Sequence, residues 1–370
     1  MRRVIEPIVR FISDPAGASF EELALAVFAF QYEHVEPYRR LCDGRGAVPG
    51  KVADWRQVPL LPAAAFKRLR LAAAAEREVF RSSGTSAGQE ERSVHYHPYP
   101  DLYRQTIDAS FPRFCLPGDG AAPVPMLSLV PAREQLPDSS LAFMIDHVLA
   151  AYGAPAPDSA VAVGKRGVDV VPARSWAAAR QRAGRPALVL ATSLALAQWL
   201  DALERQDLRF RLPPGSAVFE TGGFKGRAGE VSPGRQLGRL EERLAVPAAA
   251  VVREYGMTEL TSQCYTRALR GGDPETFFAP HWARVRVLDP ATLEEAPPGQ
   301  PGLLAIFDLA NVGSAAHLLT EDLGVAAAGE AEAGGAAGGG FRLLGRAAGA
   351  ELRGCSLVAE ELQRAGAGVR

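Results

Sequence analysis

Residues able to hold phosphate, a nucleotide base and a cation recur where apolar runs of the sequence end. The first such stretch, 82–89, reads Ser-Ser-Gly-Thr-Ser-Ala-Gly-Gln and follows the apolar pair Val79-Phe80. Small residues let a backbone curl so that its N–H groups converge on an anion, and hydroxyls add further donors. The stretch lacks the Gly-Lys-Ser/Thr ending of a P-loop. It predicts a phosphate-binding loop, with a plain surface loop as the alternative. The residues assigned to this loop are Ser82, Ser83, Gly84, Thr85 and Ser86.

The second stretch, 220–227, reads Glu-Thr-Gly-Gly-Phe-Lys-Gly-Arg and follows the apolar residues 217–219. Its paired glycines, Gly222 and Gly223, allow a flat ligand to approach the backbone closely. Lys225 and its neighbour Arg227 could meet phosphate or carboxylate charge. A glycine turn with two solvated cations is the alternative.

The third stretch, 253–260, reads Arg-Glu-Tyr-Gly-Met-Thr-Glu-Leu and follows an apolar run at 249–252. Tyr255 could stack on a base, Thr258 could bond a phosphate, and Glu259 could hold magnesium, which prefers oxygen ligands. The alternative is a strand-to-helix turn in which Thr258 or Glu259 caps the helix. The other members of this predicted nucleotide-binding segment are Glu254, Gly256 and Met257.

The last two stretches lie near the C-terminal end of the sequence. Residues 319–324, Leu-Thr-Glu-Asp-Leu-Gly, contain Asp322, whose carboxylate could accept hydrogen bonds from both hydroxyls of a ribose. The alternative is an acidic turn. Gly345-Arg346 follows, and then residues 351–357, which include Cys355.

Strands alternating with helices must position these stretches, which predicts an α/β fold with parallel parts. In such folds ligands gather where strands end. A helix is expected after Ser19, which has capping-box spacing to Glu22, and Pro37 should end or kink that helix. The predicted strands cover 124–130, 187–192, 216–220, 249–253, 284–288 and 302–308, and further helical patterns cover 139–151 and 193–204.

Residues 326–340 are almost wholly Ala, Gly and Glu, a composition that packs poorly and predicts a mobile loop or hinge. The expected organisation is therefore a core domain over 1–325, this loop, and a short C-terminal segment over 341–370.

Composition excludes several classes of function. With 41 basic and 42 acidic residues, the chain offers no electrostatic case for nucleic acid or an anionic membrane. Four widely spaced cysteines form no CxxC pair, so neither a zinc site nor a disulfide framework is indicated. His95 and His97 could converge from one strand face, but an ordinary surface strand is favoured over a metal site. No signal-peptide core or membrane-spanning run is expected, which makes cytoplasm the default location.

The order and spacing of the stretches resemble the adenylate-forming superfamily, which includes acyl-CoA ligases, luciferases and peptide-synthetase adenylation domains. Residues 82–89 are similar to its phosphate loop, and residues 255–259 to its adenine and magnesium motif. Residues 320–324 are similar to its ribose motif, and Gly345-Arg346 to the motif at its domain hinge. The resemblance implies the N-terminal domain type of this superfamily, with mixed sheets and flanking helices.

Within the superfamily, the sequence most resembles acyl-protein synthetases of the LuxE type, which are long-chain-fatty-acid–protein ligases of fatty acid reductase complexes. Phenylacetate-CoA ligases are nearby relatives. The finer match is carried by residues 59–67, 138–144, 221–227 and 353–357.

The resemblance implies a two-step reaction that consumes ATP and needs Mg²⁺. A carboxylic acid, here expected to be a fatty acid, attacks the ATP α-phosphate to give acyl-AMP, and a thiol then takes the acyl group. In acyl-protein synthetases that thiol belongs to a cysteine near the C-terminus, a position that Cys355 matches. A protein similar to an acyl-CoA reductase is the implied partner.

One departure from the wider superfamily concerns its mobile C-terminal domain, which carries a catalytic lysine. Only 24 residues follow Arg346 and none is lysine, so that domain is expected to be truncated to a short segment. Lys225 is the candidate for supplying the missing charge, with Arg227 as the substitute.

Two other functions stay open at this stage. In the first, the chain is an acyl-CoA or acyl-carrier-protein ligase, and Cys355 only packs beneath a terminal helix beginning near Val358. In the second, it is a non-catalytic subunit of a reductase complex. The sequence fixes neither the acid nor the acceptor nor the oligomeric state.

Overall fold

The computed structural model describes residues 2–83, 92–118, 122–164, 167–222, 233–327 and 339–347. Its helices are α1 Arg2–Ser13, α2 Phe20–His34, α3 Glu36–Gly44, α4 Pro100–Cys115, α5 Ser140–Tyr152, α6 Val170–Ala183, α7 Ser193–Arg205 and α8 Pro233–Leu244. Its first strands are β1 Leu61–Pro62, β2 Glu78–Arg81, β3 Val94–His97, β4 Met126–Ser128, β5 Ala160–Val161, β6 Val163–Gly164, β7 Gly167–Val168 and β8 Leu188–Thr192. The later strands are β9 Ala217–Thr221, β10 Val251–Tyr255, β11 Cys264–Thr266, β12 Thr276–Phe278, β13 Ala283–Leu288, β14 Pro301–Asp308, β15 His317–Ala326 and β16 Phe341–Arg346.

The chain forms two compact units. Unit 1 comprises 1–109, 257–263 and 278–370, and unit 2 comprises 110–256 and 264–277. The boundary after Gly256 therefore falls inside the predicted nucleotide-binding segment. The division into two units does not test the predicted domain limit at residue 325, which stays a prediction.

Unit 2 is built on a parallel sheet in the order β5-β4-β8-β9-β10, with β11 antiparallel beside β10. Strands buried on both faces are expected to be continuous apolar runs, and β8 and β9 have that character. Helices α6, α7 and α8 cover the sheet. The packed core includes Leu127, Val189, Val218, Val251, Trp176, Trp199 and Leu240.

Unit 1 holds an antiparallel sheet in the order β13-β14-β15-β16, and β1 pairs with β15 in parallel. A separate antiparallel hairpin joins β2 to β3. An apolar cluster under the larger sheet contains Leu60, Leu288, Leu303, Ala305 and Leu319. Residues 341–346, expected in a separate C-terminal segment, form the strand beside β15.

The predicted helices are confirmed. Each predicted strand has a counterpart, but the strand expected at 124–130 is only β4, and residues 249–250 form a 3-10 turn before β10. The predicted cap at Ser19 begins α2, where its hydroxyl accepts from the Glu22 N–H. The sequence analysis missed α1. Pro7 lies inside that helix and removes one backbone hydrogen bond. Burial of Ile8, Phe11 and Ile12 at helical spacing outweighs that loss. Pro37 does not kink α2, because the chain has already begun α3 and the proline occupies its first turn.

Two of the alternative interpretations are wrong. Residues 320–324 lie inside β15 and not in an acidic turn. The segment after β10 does not enter a helix capped by Thr258 or Glu259, because the chain turns back and pairs β11 with β10. Within the described part of the chain, no helix is both long and apolar enough to cross a bilayer.

Candidate active site

Strands β2 and β3 flank the predicted phosphate loop in sequence and pair with each other. Phe80 pairs with His95 and Arg81 with Val94, so the two strands end side by side. The Ser82 N–H donates to the Ser93 carbonyl at 3.0 Å, and the Ser93 N–H donates to the Ser82 hydroxyl at 3.0 Å. These two bonds close the base of the loop. We call the described residues 78–83 and 92–97 the phosphate-loop hairpin. Ser83 is exposed, and Gly84, Thr85 and Ser86 lie outside the described residues.

In unit 2, a polar cluster marks the carboxyl ends of the adjacent parallel strands β9 and β10. Thr221 and Glu254 are register partners, and the Thr221 hydroxyl donates to the Glu254 carboxylate. Glu254 is only 8% exposed, and this burial raises the pKa of its carboxyl to about 7 although the bond from Thr221 lowers it. Gly222 follows in the left-handed region, with φ of 75°. Gly223, Lys225 and Arg227 lie outside the described residues.

Gly256 leaves room for the carboxylate beside it. A Cβ on Gly256 would stand 2.1 Å from Oε1 of Glu254, so the Glu254 side chain would have to move. Tyr255 is 6% exposed, and its ring makes an edge contact with Phe277 at 6.2 Å between centroids. The predicted neighbours Thr221, Gly222, Glu254, Tyr255 and Gly256 thus lie at one end of the unit 2 sheet, where α/β folds bind ligands.

The other half of the predicted segment, Met257, Thr258 and Glu259, lies in unit 1 within residues 257–263, which we call the Thr258–Glu259 loop. Hydrogen bonds to main-chain carbonyl groups hold this loop in place. The Thr258 carbonyl accepts from Nδ1 of His95 at 2.9 Å, and the Glu259 carbonyl accepts from Nδ2 of Asn311 at 2.8 Å. Glu259 is 7% exposed. These contacts bring the loop to the phosphate-loop hairpin through His95.

A buried network that the sequence analysis missed anchors the same loop. Asp308, at the end of β14, accepts from the N–H groups of Thr261 and Ser262 at 3.0 and 2.8 Å, and from the Ser262 hydroxyl at 2.7 Å. Burial raises the pKa of Asp308 and these hydrogen bonds lower it. Asn311 accepts from the Thr261 hydroxyl at 2.9 Å. The available signal was an acidic residue closing an otherwise apolar strand.

The prediction that His95 and His97 lie on an ordinary surface strand is wrong. They are 1% and 3% exposed, with ring centroids 4.8 Å apart. Burial lowers the pKa of His95 to about 4 and that of His97 well below its usual value, so both rings are neutral. The rings contact Phe66, Phe80 and Tyr103, which accounts for the burial.

The predicted ribose and hinge residues face each other across two strands. Asp322 on β15 is the register partner of Arg346 on β16, and Nε of Arg346 lies 3.7 Å from Oδ1 of Asp322. The guanidinium also lies 3.8 Å from the Glu321 carboxylate. The structure thus brings Asp322 and Arg346 together at one edge of the unit 1 sheet.

Three of the four cysteines, Cys42, Cys115 and Cys264, are buried free thiols. Burial raises the pKa of Cys42 to about 12 and raises that of Cys115 well above its usual value, so neither is an accessible thiolate. Cys264 is also buried. Cys355 lies outside the described residues.

Magnesium is the metal that the predicted site would hold, so the described oxygen ligands must suit it. Among the described residues, no group of three or more His, Cys, Asp or Glu side chains could hold a metal ion. Magnesium at a nucleotide is usually held by one or two carboxylates, water and the phosphates themselves, so it does not need such a group. Glu259, with the Thr258 hydroxyl beside it in sequence, fits that requirement.

Solved structures identify the fold of this chain. Two crystal structures of 2-hydroxyisobutyryl-CoA ligase match it, one in an open conformation and one in the thioesterification state, both with 2-HIB-AMP and CoA. Their TM-scores are 0.60 and 0.59. Each is 16% identical, and the match covers 88% of this chain and 74% and 68% of theirs. At this identity the likeness establishes the fold, which is that of adenylate-forming enzymes.

Part of the sequence resembles one family of that class. Residues 184–363, just under half of the chain, match the family model described as acyl-protein synthetase, LuxE. No curated protein gives a significant match. The resemblance predicted from the motifs is confirmed, and so is the class of enzyme that it implies, an AMP-forming ligase that uses ATP. The matched residues include the segment from Tyr255 to Glu259, Asp322, Arg346 and Cys355.

Proposed function

We propose that the chain activates a carboxylic acid with ATP and passes the acyl group to a thiol. A carboxylate oxygen attacks the ATP α-phosphorus, the new bond gives acyl-AMP, and the bond to pyrophosphate breaks. A thiolate then attacks the acyl carbon, the thioester forms and AMP leaves. The observation that carries the proposal is the Thr258–Glu259 loop, which hydrogen bonds fix against the phosphate-loop hairpin in unit 1.

Each motif residue has a proposed task. Ser82, Ser83, Gly84, Thr85 and Ser86 hold the phosphates, Glu259 binds magnesium, and Asp322 binds the ribose. The metal would neutralise phosphate charge that develops during the transfer. Arg346 assists in binding the nucleotide, which is held by Gly222, Gly223, Glu254, Tyr255, Gly256 and Met257. Lys225 supplies the cation that the wider superfamily takes from its C-terminal domain.

The acid is proposed to be a fatty acid, and the acceptor to be Cys355. Two observations support Cys355: it lies within the part of the chain that matches the family model, and Cys42, Cys115 and Cys264 are buried. An acyl reductase that receives or reduces the acyl group is the proposed partner. Transfer to CoA or to a carrier protein is the alternative. The cytoplasm stays the predicted location.

The first test is acid-dependent exchange of pyrophosphate into ATP, measured over a panel of fatty and aromatic acids with magnesium. Glu259→Gln keeps the size and the backbone anchor of Glu259 but removes its charge. We expect exchange to fall on the order of a hundredfold. Glu241→Gln on the exposed face of α8 is the matched control and should exchange like the wild type. If none of the acids supported exchange, the non-catalytic alternative would remain.

The second test separates the two steps by weighing the intact protein after incubation with ATP, magnesium and the best acid. Cys355→Ser should keep pyrophosphate exchange and lose a hydroxylamine-sensitive acyl adduct, because an ester is less reactive than a thioester. Cys264→Ser is the control and should keep the adduct. An adduct that persists in Cys355→Ser, or a product that forms only with CoA, would contradict the assignment of Cys355.

A further inference from the structure

His95 and His97 connect the phosphate-loop hairpin to the Thr258–Glu259 loop. Alternate residues of a strand point to one face, so both side chains of β3 lie on the same side. Nδ1 of His95 lies 2.9 Å from the Thr258 carbonyl, and Nε2 of His97 lies 3.0 Å from the Thr261 hydroxyl. The two bonds reach the loop on either side of Glu259. Each spans more than 160 residues of sequence.

Hydrogen-bond chemistry fixes which nitrogen of each ring carries the proton. A carbonyl only accepts, so Nδ1 of His95 is the donor. The Asn311 amide nitrogen donates to the carbonyls of Glu259 and Ala315, which turns its oxygen toward the Thr261 hydroxyl. The single hydroxyl proton of Thr261 goes to that oxygen, so Nε2 of His97 must donate to the hydroxyl.

Each neutral ring therefore uses one nitrogen as a donor and keeps an acceptor on the other. Nε2 of His95 and Nδ1 of His97 are buried and have no hydrogen-bond partner among the described residues. A buried acceptor without a partner lowers stability, and a phenylalanine or leucine at the same place would avoid that cost. Packing alone does not favour histidine at these two positions.

We infer that His95 and His97 are positioning residues that hold the Thr258–Glu259 loop in a fixed place relative to the phosphate-loop hairpin. The inference rests on the proposed function, because that function gives the hairpin and the loop a common ligand, the ATP phosphates with their metal. His95 acts through the Thr258 backbone and His97 through the Thr261 side chain. Loss of either donor lets the loop shift, and a shift of about 1 Å costs roughly a hundredfold in rate when groups must be aligned.

The experiment compares two substitutions of His95. His95→Asn keeps an N–H donor near the position of Nδ1, whereas His95→Leu keeps a comparable volume without a donor. The matched control is His317, another buried histidine, whose Nδ1 lies 2.8 Å from the Val58 carbonyl and which does not contact the loop. His317→Asn and His317→Leu remove the ring in the same two ways. His97→Gln and His97→Leu repeat the comparison at the second bond.

Two readouts are taken on the full chain. The first is hydrogen exchange of the loop amides of Leu260, Thr261 and Ser262, which are hydrogen-bonded to Met257 and Asp308. His95→Leu should speed their exchange about tenfold or more, because local opening becomes easier. The second is kcat for pyrophosphate exchange, which should fall by on the order of ten- to a hundredfold. His95→Asn should recover most of both, and the His317 pair should leave both unchanged.

Amide exchange that does not change in His95→Leu would overturn the inference, and so would an asparagine variant as defective as the leucine variant. Where leucine prevents folding, His95→Gln replaces it, because its donor lies one bond further from the backbone and misses the carbonyl. A wild-type chain that exchanges no pyrophosphate would refute the proposed function, and the amide readout would still decide the positioning role.

Discussion

At the scale of the residue, Glu254 combines a buried carboxyl with a place at the predicted nucleotide site. It is 8% exposed, accepts from the Thr221 hydroxyl, and has a pKa of about 7 because of its burial. Below pH 4.5 the carboxyl is protonated in both the folded and the unfolded chain. Between pH 4.5 and 7 the unfolded chain loses the proton first, so Glu254 makes the folded state less stable as the pH rises through this window.

Glu254→Gln should remove this pH dependence, because the amide keeps the shape and does not titrate. Each pKa unit corresponds to about 1.4 kcal/mol, so the wild type should lose about 3 kcal/mol relative to the variant between pH 4.5 and pH 7. Urea unfolding at a series of pH values measures the difference. The exposed substitution Glu241→Gln is the control for removing one carboxylate. A difference that does not change with pH would mean that Glu254 titrates at its ordinary value.

At the scale of the element, the carboxylate of Asp308 binds several donors of the Thr258–Glu259 loop and its surroundings. Oδ2 of Asp308 accepts both the Thr261 and the Ser262 N–H, while Oδ1 accepts the Ser262 hydroxyl and the Ala310 N–H. Four donors converge on two oxygens, so no amide can replace the carboxylate without turning an N–H group toward another donor.

Asp308→Asn should therefore lower the free energy of unfolding by about 1–3 kcal/mol, the usual cost of leaving a buried hydrogen-bonding group unpaired. The loop amides should also exchange faster. The comparison is Asp289→Asn, in which the aspartate accepts two backbone N–H groups in a partly exposed turn, and we expect a loss below about 1 kcal/mol there. Equal losses in the two variants would contradict a special role for Asp308.

At the scale of the whole molecule, the buried neutral histidines determine how the protein responds to acid. Burial lowers the pKa of His95 to about 4 and of His317 to about 3, and lowers that of His97 well below its usual value. Unfolding exposes these rings, which then take up protons near pH 6.5. Their contribution is complete above pH 6.5 and is lost as the pH falls toward the folded-state values, opposite in direction to that of Glu254.

We expect His95 and His317 each to cost the folded state about 2–3 kcal/mol between pH 6.5 and 4.5. The free energy of unfolding of His317→Asn, measured against that of the wild type at each pH, isolates one of them. The variant should be less stable than the wild type near pH 7 and should close that gap as the pH falls. A gap that stays constant would show that His317 titrates at its ordinary value in the folded protein.

The sequence by itself determined the strands β8, β9 and β10 and the positions of the motifs at their ends. Each of those strands begins with a short run of buried apolar residues, and such runs are visible without knowledge of the fold. The order of the motifs also sufficed to give the class of enzyme. Periodicity and composition are local properties, so they carry this information directly.

Only the tertiary structure decided that His95 and His97 are buried, that Asp308 anchors the Thr258–Glu259 loop, and that Asp322 lies within a strand. His95 meets the Thr258 carbonyl across 163 residues of sequence, and Asp308 meets Ser262 across 46. Whether a polar side chain is a solvated surface group or a buried anchor depends on what packs against it. That packing comes from distant parts of the chain, so it cannot be predicted from the residues beside a histidine or an aspartate in sequence.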